Sequence, residues 1–194
     1  IQRDYAQGRN NKKNLRNDFL NYIFNSLDKN IQIDLDFVYG HFESSKFIPL
    51  DGQQRLTTLF LLHYYLAIKD GEFESFQEIF KQNNNSKFTY KTRHSSRSFF
   101  DNLVVNGVLE IESDDNISKQ IKDQKWYFYE WENDTTIQGC LTMLDAIEEK
   151  FKKTSGFYNK LIHNNLVCFE FLNLNEYNLS DDLYIKMNSR GKPL

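Results

Sequence analysis

Phe47–Leu59 reads FIPLDGQQRLTTL: a short apolar run ends at Asp51-Gly52, and a strongly apolar helix pattern begins at once. The apolar residues of Gln53–Lys69 cover more than one helical face, which predicts a largely buried helix. The preceding run Lys46–Leu50 is apolar and bounded by turn residues, which predicts a short strand. The stretch therefore predicts a strand that turns through Asp-Gly directly into a core helix.

Periodicity predicts the remaining elements and the fold class. The predicted helices are Lys12–Leu27, Glu74–Lys81, Ser95 or Ser96 to Val105, Ile117–Trp131, Thr135–Lys153, Phe157–His163 and Asp181–Met187. Strands are predicted at Asp34–Tyr39 and at Leu166–Leu172, and the second is apolar and β-prone enough for a central position. Strands near both ends with helices between them predict one α+β domain over residues 1–194, with a small sheet and a helical insertion at about residues 73–165.

Composition and charge narrow the class of protein. The 194 residues are 40% hydrophobic, which is enough for a packed core, and a net charge of −3 gives no general case for nucleic-acid binding. Cys140 and Cys168 are expected to be buried, reduced thiols of a cytosolic protein, and His63 a hydrogen-bonded core residue. No apolar run approaches the roughly 18 residues that span a bilayer, so no membrane partner is expected. The chain begins with Ile1 rather than Met, so we expect a fragment, and we expect the domain to be truncated at its other end as well.

Asp51-Gly52-Gln53-Gln54-Arg55 has a structural and a chemical interpretation. In the structural one, Asp51 is the N-cap of the helix and Gln54 its capping-box partner. In the chemical one, the N–H groups at the helix start attract an anion, and the Arg55 fork suits phosphate. Asp51 can then hold a metal ion or orient a water. Arg55 and two glutamines occupy positions where acidic side chains would suit the helix dipole better, which favours phosphate binding.

Three further motifs leave alternatives open. Asn188-Ser189-Arg190-Gly191 precedes Lys192-Pro193 and is typical of a helix C-cap, although its polar side chains could instead face a ligand. Gln2-Arg3 by itself indicates a solvated terminus. The segment with Lys91, Arg93 and Arg97 is either a solvated loop or a contact for a nucleic-acid backbone.

Together these motifs resemble the N-terminal domain of the GmrSD-type modification-dependent restriction endonucleases. The resemblance is carried by Gln2-Arg3-Asp4-Tyr5, by Asp51–Leu59 and by Asn188–Gly191, and it covers essentially the whole chain. It implies a fold similar to the ParB/sulfiredoxin group, in which Gly52–Arg55 is the phosphate-cradling turn. Sulfiredoxins place a reactive cysteine after the glycine. Here Gln53 stands there, which excludes thiol chemistry because an amide is not a sulfur nucleophile.

The resemblance also implies a function: a cytoplasmic, prokaryotic domain of a phage-defence restriction system that binds and hydrolyses a nucleoside triphosphate with Mg²⁺. The expected partners are DNA, including modified DNA, and a C-terminal HNH-type nuclease domain in the full-length protein. A non-catalytic module that senses nucleotide or DNA is the alternative. Direct nuclease action ranks last, because no second carboxylate or histidine lies near Asp51 in the sequence.

Site residues follow from the resemblance and the local chemistry together. Asp51, Gln53, Gln54 and Arg55 are the expected catalytic residues, with Asp51 as the Mg²⁺ ligand and one glutamine orienting the attacking water. The expected phosphate-binding residues are Gln2, Arg3, Gly52, Thr57, Asn188, Ser189 and Arg190. Lys91, Arg93 and Arg97 are the candidates for contact with a DNA backbone.

Overall fold

The computed structural model describes residues 5–107 and 114–177. In this part of the chain, seven α-helices and five strands are formed: α1 (Lys13–Lys29), β1 (Ile33–Glu43), β2 (Lys46–Pro49), α2 (Gln53–Lys69), α3 (Phe73–Phe80), β3 (Lys81–Gln82), β4 (Asn85–Ser86), α4 (His94–Asn106), α5 (Ile117–Lys122), α6 (Thr135–Phe151), α7 (Phe157–His163) and β5 (Val167–Asn173). The predicted helix Asp181–Met187 lies outside the described residues. So do Gln2-Arg3 and Asn188–Gly191.

The main sheet has the strand order β2-β1-β5, with β1 antiparallel to β2 and parallel to β5. Within the described residues this places β1, rather than β5, at the centre, so the prediction of Leu166–Leu172 as a central strand is wrong. Strand β5 is apolar because it carries aromatic residues, but Phe169 and Phe171 are 37% and 48% exposed. Apolar composition alone does not distinguish a central strand from an edge strand.

A helical layer supplies most of the core. Helix α2 packs against α3, α6 and α7, while α1 packs against α6 and α7. Leu61, Leu62, Leu66 and Ala67 of α2 are 0% exposed, which confirms the predicted core helix. Helices α3 to α7 and the hairpin β3–β4 lie between β2 and β5, so the predicted α+β class with a helical insertion is confirmed. No described helix has both the length and the apolarity to cross a membrane.

Two predicted helix boundaries are wrong for identifiable reasons. Helix α4 begins at His94 with Arg93 as N-cap, and the hydroxyls of Ser95 and Ser96 donate to Asp134 at the start of α6 instead of capping their own helix. Helix α5 ends at Lys122, and a 3₁₀ turn at Tyr129–Asn133 replaces the rest of the predicted helix Ile117–Trp131. In that segment the aromatic rings gather around the buried Trp131, so tertiary packing outweighs the helical periodicity.

Cys140 is buried as predicted, and His63 is hydrogen-bonded as predicted but only partly buried, while the prediction of a buried Cys168 is partly wrong. Cys140 is buried, whereas Cys168 is only partly buried, and both are free thiols. His63 Nδ1 donates to the Leu59 carbonyl oxygen over 2.7 Å, and its ring lies edge-on to Phe80 and Tyr158. Burial lowers the pKa of His63 to about 4.

The lowered pKa of His63 predicts a pH-dependent stability. The unfolded chain protonates this residue below about pH 6.5, but the folded chain does so only near pH 4. The free energy of unfolding should therefore fall as the pH drops from 6.5 towards 4, with His63 contributing up to about 1.4 kcal/mol per pH unit. Urea unfolding at pH 7 and pH 5 should show a smaller pH difference for His63→Gln than for the wild type. An equal difference in the two proteins would contradict the prediction.

The junction between sheet and α2 depends on Gly52, whose φ of 84° lies in the left-handed region. A Cβ at this position would approach Val38 Cγ2 to 2.7 Å. We therefore expect Gly52→Ala to lower the free energy of unfolding by about 2–4 kcal/mol, from backbone strain and overpacking together. Gly71 has a φ of 75° and no atom within 4 Å of its added Cβ, so Gly71→Ala is the matched control. It should cost only the strain, about 1–2 kcal/mol, and equal losses in urea titrations would contradict the packing argument.

Candidate functional site

The turn before α2 is held by the central strand. The N–H groups of Leu50 and Asp51 both donate to the carbonyl oxygen of Tyr39, over 2.9 and 3.2 Å. Gly52, rather than Asp51, is the N-cap of α2, and it provides no side-chain cap. The predicted capping box is therefore wrong. Asp51 precedes the helix with its side chain 44% exposed.

Arg55 connects α2 to an irregularity in β1. Its guanidinium donates to the carbonyl oxygens of Leu35 and Phe37, the second over 2.7 Å. These carbonyls flank Asp36, which has a φ of 61° and lies where the register of β1 against β5 shifts. The same guanidinium lies 3.6 Å from the Asp51 carboxylate. Arg55 therefore satisfies main-chain acceptors that a β-bulge would otherwise leave unpaired.

Gln54 connects α2 to the N-terminal segment. Its side-chain oxygen accepts hydrogen bonds from the N–H groups of Ala6 and Gln7, over 2.7 and 3.2 Å. Two acceptor positions are available on an amide oxygen, and these bonds use both. The buried Tyr5 hydroxyl lies 2.5 Å from the hydroxyl of Thr58, one turn further along the same helix. The start of α2 thus binds the beginning of the described chain on one side and β1 on the other.

The two threonines of the motif lie in the interior. Thr57 is 0% exposed, and its hydroxyl bonds to the Gln53 carbonyl and lies 2.9 Å from the Tyr90 hydroxyl. The hydroxyl of Thr58 donates to the Gln7 side-chain oxygen over 2.6 Å. Thr57 was predicted to bind phosphate, and the structure places its hydroxyl behind the helix start, in contact with protein atoms.

An open pocket of about 220 Å³ lies at the N-terminus of α2. It is lined by Gln7, Leu50, Asp51, Gly52, Gln53, Gln54 and Arg55. The structure therefore brings the five predicted residues from Asp51 to Arg55 to one cavity. Gln7 was not predicted. No local pattern marks it, because its place in the wall follows from main-chain and side-chain contacts with α2.

Two opposite charges meet at the pocket: the partial positive charge of the α2 N-terminus and the negative charge of one carboxylate. The N-terminus of an α-helix carries a partial positive charge, and its first N–H groups have no acceptor within the helix. Asp51 is the one carboxylate among the lining residues. No group of three or more metal-binding side chains occurs in residues 5–107 and 114–177. Mg²⁺ commonly binds through one or two carboxylates together with substrate phosphates, so this pocket suits an ion that is shared with a phosphate ligand.

The three basic candidates for DNA contact lie outside the pocket lining and have protein partners. Lys91 forms an exposed ion pair of 2.8 Å with Glu43, and Arg97 donates to the Lys91 carbonyl over 2.8 Å. Arg93 Nη1 donates to the Thr136 hydroxyl over 3.2 Å. Lys91 keeps 69% of its side chain exposed and remains reachable for a phosphate. The other predicted residues, Gln2, Arg3, Asn188, Ser189 and Arg190, lie outside the described part of the chain.

The model of one protein family, the N-terminal domain of the GmrSD restriction endonuclease, matches residues 1–194. The chain belongs to this family. Comparisons with curated proteins and with solved structures gave no match. The GmrSD assignment therefore rests on the whole-chain family match, and the ParB/sulfiredoxin likeness of this GmrSD domain stays a prediction.

Because Arg55 bonds to β1, we expect its replacement to destabilise the GmrSD domain. Arg55→Met should lower the free energy of unfolding by about 2–4 kcal/mol, because two main-chain acceptors lose a charged donor. The ion pair of Lys91 with Glu43 is exposed, so the matched variant Lys91→Met should unfold at the wild-type urea concentration. Equal urea midpoints for Arg55→Met and the wild type would show that the β1 contact does not stabilise the fold.

Proposed function

We propose that this domain binds a nucleoside triphosphate with Mg²⁺ in the pocket at the start of α2 and hydrolyses it, as the regulatory part of a modification-dependent restriction system. One observation carries the proposal: Asp51–Arg55 line a cavity at the positive end of a buried helix. Membership of the family of GmrSD N-terminal domains supports the restriction context.

Phosphate recognition is assigned to the main chain of the helix start. A phosphate at this position meets N–H groups and the helix dipole, the arrangement used by many nucleotide-binding turns. Gly52 lets the turn pass directly into the helix start, because it takes up a φ of 84° and has no side chain to collide with Val38. Arg55 adds positive charge to the wall while its hydrogen bonds hold β1. Its role is thus to neutralise charge and to position the turn.

Asp51 is the candidate for the chemical step. Its carboxylate is the partly exposed acid of the pocket, and it would hold Mg²⁺ that arrives with the nucleotide, directly or through water. The ion supplies neutralisation of charge on the phosphate oxygens. Orientation of the attacking water falls to Asp51 or to Gln53. The side-chain oxygen of Gln54 already accepts two main-chain N–H groups, so we assign Gln54 a positioning role.

We also propose roles for two arginines, Arg3 and Arg190, that lie outside the described residues. Ala6 and Gln7 are bound to Gln54 at the pocket, and they follow the Gln2-Arg3 motif closely in sequence. This supports a role for Arg3 in neutralising phosphate charge. We propose the same role for Arg190 on the basis of the family resemblance alone. Lys91 is the strongest of the three candidates for a DNA-backbone contact, because it is the most accessible.

Phosphate release from ATP, CTP, GTP and UTP with Mg²⁺, with and without modified DNA, tests the proposal. Asp51→Asn should reduce release by about 100-fold or more, since positioned acid–base groups contribute at least that much. Its nucleotide affinity should change by less than about tenfold, because the main-chain contacts to phosphate remain. The matched control is Asp18→Asn, which makes the same charge change on the exposed surface of α1 and should release phosphate at the wild-type rate.

Two outcomes would lead to different conclusions. Tight nucleotide binding without release under any condition would overturn hydrolysis and favour the alternative, a non-catalytic sensing module. Absence of binding for all four nucleotides would overturn the phosphate site itself.

A further inference from the structure

Both main-chain polar groups of Gln7, a residue of the pocket wall, are hydrogen-bonded to other parts of the domain. Its N–H donates to the Gln54 side-chain oxygen over 3.2 Å, and its carbonyl oxygen accepts from Arg16 Nη1 over 3.2 Å. Arg16 is only 6% exposed, and it also donates to the Arg9 carbonyl over 3.3 Å. The next residue, Gly8, packs so closely on Gly139 of α6 that an added Cβ would lie 2.0 Å from the Gly139 oxygen. This segment therefore has little freedom to move away from the pocket.

The side-chain amide of Gln7 is oriented by Thr58. The Thr58 hydroxyl donates to the amide oxygen of Gln7 over 2.6 Å, which places the oxygen towards α2. The remaining polar atom is the amide nitrogen, Nε2. It has no hydrogen-bond partner among residues 5–107 and 114–177, and it is not one of the buried polar atoms there that lack a partner. Gln7 lines the pocket and thus carries a solvent-accessible donor on a side chain whose amide oxygen is already held by Thr58.

We propose that Gln7 is a ligand-binding residue whose amide nitrogen donates a hydrogen bond to the phosphate chain of the bound nucleotide. The assignment rests on the proposed function and adds to it a contact from outside the Asp51–Arg55 turn. A phosphate oxygen is an acceptor, and Nε2 is a donor fixed beside the positive helix end. Because Thr58 and Gln54 hold Gln7 before binding, little side-chain freedom is lost when the bond forms.

Gln7→Glu is a sharp test, because it keeps the oxygen that accepts from Thr58 and replaces the donor by a carboxylate oxygen. Binding of each of the four nucleotides with Mg²⁺ should weaken by about tenfold to a hundredfold, as expected when a hydrogen bond to a charged group is lost. Inorganic tripolyphosphate with Mg²⁺ should show the same loss, since the contact is with phosphate. The thermal midpoint of the nucleotide-free variant should be no lower than that of the wild type, because a carboxylate near a helix N-terminus is favourable.

Gln82→Glu is the matched control, since it makes the same change at the exposed residue of β3 and should leave all affinities unchanged. A second variant, Gln7→Met, removes the donor without adding charge and should also weaken nucleotide binding. Wild-type affinity in both Gln7 variants would overturn the assignment, and so would a loss confined to nucleotides with tripolyphosphate unaffected. If the wild type binds none of these ligands, the proposed function fails first, which is distinguishable from a failure of the Gln7 contact alone.

Discussion

The contact between the Arg55 guanidinium and the two carbonyl oxygens of β1 sets the position of the candidate site. The register of β1 against β5 shifts around Asp36, and Arg55 donates from the first turn of α2 to the carbonyl oxygens of Leu35 and Phe37 on either side of it. The start of the buried helix α2 is thereby connected to the central strand. Gly52 allows this close approach, because its Cα lies where a side chain would collide with Val38.

Gln54, the neighbour of Arg55, connects the start of α2 to the first described residues of the chain. Its amide oxygen holds Ala6 and Gln7, while Thr58 holds the hydroxyl of Tyr5 and the side chain of Gln7. Consecutive residues of one helical turn thus bind two separate segments, and the cavity lies where these segments meet. Such an arrangement keeps main-chain donors and one carboxylate in place without a ligand, which is the pre-organisation that phosphate binding requires.

The sequence predicted much of this fold and part of the site, for separable reasons. Helix α2 was predicted with its observed bounds because its apolar pattern is long and its start is marked by Asp-Gly, and α7 was equally clear. The central position predicted for Leu166–Leu172 was wrong because apolar composition does not encode strand neighbours, and α5 was predicted too long because the packing around Trp131 outweighs periodicity.

At the site, the motif predicted which residues lie at the pocket but not which groups their side chains contact. Arg55 and Thr57 were expected to contact phosphate. In the structure Arg55 lines the pocket while its guanidinium bonds to β1, and the Thr57 hydroxyl lies against Tyr90. Gln7 had no local signal, because its role depends on contacts about fifty residues away in sequence. Long-range hydrogen bonds of this kind arise from the tertiary fold and leave no periodic trace in the sequence.

A crystal structure of the domain with a non-hydrolysable nucleoside triphosphate and Mg²⁺ would locate the bound phosphates. We expect phosphate oxygens within hydrogen-bonding distance of the main chain at Gly52–Gln54 and of Gln7 Nε2, with the ion beside Asp51 and with Arg55 still bound to β1. A nucleotide bound at another surface, or one seated in the pocket only after Arg55 has left the carbonyls of Leu35 and Phe37, would contradict this expectation.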